Sequence, residues 1–78
     1  MADRVFEVFA EGLGLSPEQI SDETAPENTP EWDSLAAMGL VALLEEAFQI
    51  EFSTEEIMSM RSVALVREVL RSKGVDKV

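Results

Sequence analysis

The sequence predicts an all-α fold, a small bundle of three main helices plus one short helix, with a long loop between the first and second. Three observations lead there. Apolar residues recur at helical spacing in three separate stretches. Two capping-box signatures, Ser16-Pro17-Glu18-Gln19 and Ser53-Thr54-Glu55-Glu56, mark helix starts. Finally, 78 residues with 46% hydrophobic content and no cysteine fit one core stabilised by packing alone. The whole chain, 1–78, is expected to be a single domain.

The first helix is expected from Asp3 to about Glu11, with Val5, Phe6, Val8, Phe9 and then Leu13 on one side and Arg4, Glu7 and Glu11 on the other. Gly12 and Gly14 are read as its end, because glycine readily takes the left-handed conformation that closes a helix. The Ser16 capping box predicts a single turn, after which Ile20 points inward. Asp22 through Glu31 holds four acids, two prolines and Asn28, and this is loop chemistry. A loop of that length in so small a domain is usually functional or mobile. Trp32, the only tryptophan, is expected to pack this loop onto the core, with shaping the approach to Ser34 as the alternative.

The second helix, about Ser34 to Phe48, carries two apolar faces. At 100° per residue Ala37, Leu40, Val41, Leu44, Ala47 and Phe48 form a broad core stripe. Leu35, Met38 and Ala42, with Gly39 beside them, fall roughly 140 to 180° away and should meet solvent. An aligned exposed stripe of this kind suits pressing against partners, and Glu45 and Glu46 frame it with charge. Ser53 starts a short helix with Ile57 and Met58 as its apolar contacts. From Ser62 a last helix places Val63, Val66 and Leu70 inward, broadened by Leu65 and Val69, and Gly74 closes it. Arg67, Arg71 and Lys73 are assigned to the C-terminal dipole of that helix. The last four residues are expected to fray.

Composition narrows the function. The net charge is −10, and residues 1–60 hold fourteen acids against one base, Arg4. Such a body repels nucleic acid and anionic membranes and is steered toward basic patches on proteins. Without histidine, cysteine or tyrosine, the usual bases for activating a serine are missing, so no hydrolase triad can be assembled and the domain should be a substrate of enzymes and not an enzyme. No metal site is expected. No stretch reaches membrane-spanning length and no signal-peptide pattern opens the chain, which makes the cytoplasm the default location.

Ser34 is the candidate site. On the first turn of a helix, free N–H groups and the positive dipole end favour a phosphate. On its own terms, Asp33 or Ser34 can equally be a plain helix cap. The triplet Asp33-Ser34-Leu35, however, is followed by Leu40-Val41, Leu43-Leu44-Glu45-Glu46-Ala47-Phe48, Ile50-Glu51-Phe52, Ser53-Thr54-Glu55-Glu56-Ile57 and Ser62-Val63. In that register, the chain resembles the acyl carrier protein family, free-standing type.

The resemblance implies that 4′-phosphopantetheine is attached to Ser34 by a separate phosphopantetheinyl transferase, with Asp33 and Leu35 completing the motif. It implies a monomer that carries acyl groups as thioesters, with a lipid tail sheltered between the helices. The second helix would present Leu35, Met38, Gly39, Ala42, Glu45 and Glu46 to acyl-transferring, condensing or acyl-activating enzymes. Ala36, Ala37 and Gly39 stand where many members carry polar or acidic residues, a departure that points toward a specialised lipid or secondary-metabolite route. An aminoacyl, D-alanyl or peptidyl carrier is one alternative, and an unmodified helical interaction module is another.

Overall fold

The computed structural model describes residues 3–75 and 78, and among them the structure is helical throughout, without strands. Helix α1 runs Arg4–Leu13, a 3-10 turn occupies Pro17–Gln19, α2 runs Ser34–Phe48, α3 Thr54–Ser59 and α4 Val63–Ser72. Each α-helix starts on a side-chain cap. Asp3 accepts from the N–H groups of Val5 and Phe6, Asp33 from Ala36, Ser53 from Glu56 and Ser62 from Leu65. These bonds satisfy N–H groups that have no partner within the first turn.

The core joins Val5, Val8, Phe9 and Leu13 of α1, Leu40 and Leu44 of α2, and Val63, Val66 and Leu70 of α4. Ile20 is buried as its position after the turn predicts, and Trp32 packs its ring against Phe9 with centroids 5.2 Å apart. The residues 21–33 form turns without a regular element. They are nevertheless well bonded: Ser21 N–H donates to Thr24 Oγ1, Ala25 N–H to Asn28 Oδ1, and the Asn28 amide to the Glu23 carbonyl. Two carbonyls of this loop also receive N–H groups from the first turn of α4, Val63 to Thr24 and Ala64 to Asp22, both at 3.0 Å.

The structure corrects several expectations. Gly12 lies inside α1, and the left-handed residue that ends the helix is Gly14, with φ 72°. Gly12 instead lets α1 and α2 approach closely, since a Cβ there would sit 2.5 Å from Leu40 Cδ2. Met58 is 70% exposed, because a six-residue helix turns only part of its surface inward.

The basic residues of α4 are not explained by the helix dipole alone. Arg67 is only 8% exposed. Its Nη2 donates to Asp3 and its Nε to Asp22, each at 2.6 Å, and the guanidinium lies 4.8 Å from the centre of the Phe6 ring. Lys73 pairs with Glu56 at 2.8 Å, and Arg71 Nε donates to the Val78 carbonyl. Fraying is not seen at Val75 and Val78, whose side chains pack against the core; residues 76 and 77 lie outside the described residues.

Candidate functional site at the start of α2

Asp33 has extended backbone angles, φ −98° and ψ −174°, which turn its carboxylate over the end of α2. The carboxylate accepts from Ala36 N–H at 2.8 Å, and the Asp33 carbonyl accepts from Ala37. The capping role therefore belongs to Asp33. Ser34 follows as the first helical residue, exposed to solvent. Among the described residues its hydroxyl has no protein partner, and neither do the N–H groups of Ser34 and Leu35.

The chain reaches this point rigidly because Trp32 is buried and its N–H donates to the Thr29 carbonyl. Ser34 opens onto a cleft of about 370 Å³ that Pro26, Trp32, Asp33, Met60 and Arg61 also line. Trp32 thus both packs the loop and walls the approach to the serine. Neither Met60 nor Arg61 stands out in the sequence as part of this site. The available signal was charge, since Arg61 is the first base after Arg4.

The exposed face of α2 matches the helical wheel. Leu35 is 81% and Met38 72% exposed, and Gly39, Ala42 and Glu46 are also on the surface. Glu45 differs from its expected role as a purely framing charge. It is half-buried, and its Oε2 accepts the N–H of Phe52 at 2.9 Å, which ties the end of α2 to the turn before α3.

Beneath α2, Phe9, Leu40, Leu44, Ile57 and Val66 enclose an apolar cavity of about 30 Å³. That is room for roughly one water molecule. A wholly apolar cleft of about 220 Å³ lies above it, between Ala37, Met38 and Val41 of α2 and Ile57 of α3.

Among the described residues, no helix is long and apolar enough to cross a membrane. Two carboxyls are held below the usual range. At Asp3 burial opposes ionisation, but the bond and charge of Arg67 and the N–H groups of Phe6 and Val5 outweigh it. At Glu56 the bond to Lys73 dominates, helped by the backbone of Ser53.

Ser34 thus presents an exposed hydroxyl, unbonded among the described residues, on the first turn of a helix that Asp33 caps. Residues 3–70 match the phosphopantetheine attachment site family. The chain is 36% identical over 69 residues to an acyl carrier protein of Wolinella succinogenes, covering 88% of this chain and 87% of that protein. It is 30% identical over 71 residues to an acyl carrier protein of Bdellovibrio bacteriovorus, covering 91% of each. The chain belongs to the phosphopantetheine-binding carrier family, and its role is that of a carrier without catalysis of its own. The cofactor of this family is phosphopantetheine, and the residues at the start of α2 fit it: a free hydroxyl, unpartnered N–H groups and an adjoining cleft.

Proposed function

We propose that this chain, as a single carrier domain, holds acyl intermediates on a 4′-phosphopantetheine arm attached to Ser34 and delivers them to enzymes of fatty-acid, lipid or secondary-metabolite biosynthesis. The observation that carries the reading is the division of labour at the start of α2. Asp33 takes the cap, so the Ser34 hydroxyl is left exposed and unbonded within a segment that matches an attachment-site family.

The arm supplies a thiol on which acyl groups are held as thioesters. The rest is done by this chain's own residues. Asp33 and the buried Trp32 hold Ser34 at a fixed place on the surface, and the free N–H groups of the first turn face the anionic linkage. Leu35, Met38, Gly39 and Ala42 offer an apolar contact strip, while Glu46 and the outer edge of Glu45 set register against basic patches. Docking through such a strip is weak and fast, as delivery between several enzymes requires. The partners are a phosphopantetheinyl transferase and acyl-transferring, condensing or acyl-activating enzymes. The reading assigns the chain to the cytoplasm as a monomer that binds neither nucleic acid nor membrane.

The test is intact mass after incubation of the purified apo chain with coenzyme A, magnesium and a broad-specificity phosphopantetheinyl transferase, beside Ser34→Ala. One phosphopantetheine gained by the wild type and none by the variant is expected. A folded, initially unmodified chain that gains nothing would sink the reading and leave a helical interaction module in its place.

A further inference from the structure

Arg61 is the base whose place the fold leaves unexplained. Among the described residues, Arg67 is committed to Asp3 and Asp22, Lys73 to Glu56, Arg4 to Glu7 and Arg71 to the Val78 carbonyl. Arg61 has neither an ion pair nor a side-chain hydrogen bond among them, and it is exposed. It nevertheless lines the same cleft as Ser34, 27 positions away in sequence.

Its backbone position is held. Arg61 N–H donates to the Ser59 carbonyl, and the next residue, Ser62, caps α4. On one flank Met60 packs against the core, and on the other Val63 is fully buried. The guanidinium therefore hangs from a fixed point at the rim of the cleft. The charged groups bordering it are the carboxylate of Asp33, already bonded to Ala36, and no other base.

A group esterified to Ser34 Oγ through phosphate puts a permanent negative charge within two bonds of that oxygen, at the base of the arm and not at its acyl tip. In a body carrying fourteen acids over residues 1–60, that added charge is opposed by the protein's own field. An uncommitted guanidinium at the same cleft is the group suited to offset it, because its planar fork of N–H donors matches phosphate oxygens.

We propose that Arg61 is a positioning residue for the arm: its guanidinium bonds the phosphodiester on Ser34 and holds the first part of the arm against the cleft formed by Trp32 and Met60. The inference rests on Ser34 as the attachment site. Arg61 acts on the linkage common to every loaded form, so its effect is independent of the acyl cargo.

The experiment uses the full chain, uniformly labelled with nitrogen-15, before and after conversion by the transferase. Intact mass is read first, and failure to gain the arm overturns the attachment reading and this inference together. In the converted chain, the Arg61 Nε–H signal, assigned by its disappearance in Arg61→Gln, is expected to move downfield and exchange more slowly with water. Raising sodium chloride tenfold should return it toward its unmodified position, because an exposed pair is screened by salt. A full mass gain with an unchanged Arg61 signal overturns this inference alone and leaves the attachment site standing.

Discussion

Two glycines in helices of this bundle predict opposite responses to the same substitution. Gly39 lies in the interior of α2, and a Cβ placed on it would meet nothing within 4 Å. Alanine there should add the ordinary helix-propensity gain of about 1 kcal/mol. Gly12 lies inside α1, but its Cβ would sit 2.5 Å from Leu40 Cδ2, 3.2 Å from Leu40 Cγ and 3.3 Å from Leu43 Cδ1. Leu40 is 2% exposed, and the cavity of about 30 Å³ beside it gives its side chain only limited room to retreat. Forcing a methyl into such a contact costs about 1–3 kcal/mol, which outweighs the same propensity gain. The two variants should therefore differ by roughly 1–3 kcal/mol, with Gly39→Ala above the wild type and Gly12→Ala below it or level with it. For a domain of this size each kcal/mol moves the melting temperature by about 4–8 °C. Urea and thermal unfolding can be followed by the fluorescence of Trp32, which is buried against Phe9. Equal stabilisation of both variants would refute the close approach of α1 and α2 at Gly12.

Arg67→Met should destabilise the fold by about 1–3 kcal/mol, less than a fully buried pair would cost, because Asp3 and Asp22 are partly exposed and regain water; denaturant midpoints measure it. Acid should also weaken the fold. Asp3 and Glu56 have folded-state pKa values below their unfolded ones, so their stabilisation is present above the unfolded values and drains away as pH falls through the folded ones, from about pH 5 downward. Melting temperature against pH should fall over that range, and less steeply in Arg67→Met, where Asp3 has lost its guanidinium partner. Leu35→Ser and Met38→Ser, at positions exposed to solvent, should leave stability within about 0.5 kcal/mol. They should lower kcat/KM for modification by the transferase by about tenfold, whereas an unchanged kcat/KM would remove the apolar strip from the docking surface.

Much of the fold could be read in advance because its signals are local. Capping boxes span four residues and helical stripes repeat every three or four, which is why the span Ser34–Phe48 and the inward turn of Ile20 were legible. What stayed hidden depends on residues distant in sequence. The partners of Arg67 lie 45 and 64 positions away, and nothing in the spacing around Arg67 distinguishes it from a surface base. Gly12 sits beside a true terminator, Gly14, and only the neighbouring helix reveals its different purpose. At the candidate site, Asp33 and Ser34 were visible as a helix start. The choice of Asp33 as the cap depends on backbone angles, and the arrival of Arg61 at the cleft depends on how α3 and α4 return to α2.

The bonds that α4 makes to earlier parts of the chain bear on how the protein comes off the ribosome. The carboxylates of Asp3 and Asp22 and the carbonyls of Asp22 and Thr24 are synthesised long before Val63, Ala64 and Arg67, the residues that occupy them. Until those residues emerge, α1 and the first loop have no clasp, and the core lacks Val63, Val66 and Leu70. Closure is thus set by the arrival of the final helix, and a nascent chain stalled before residue 63 would hold its serine on an unclosed bundle. The order of translation thereby places the making of Ser34 well before the surface around it is complete.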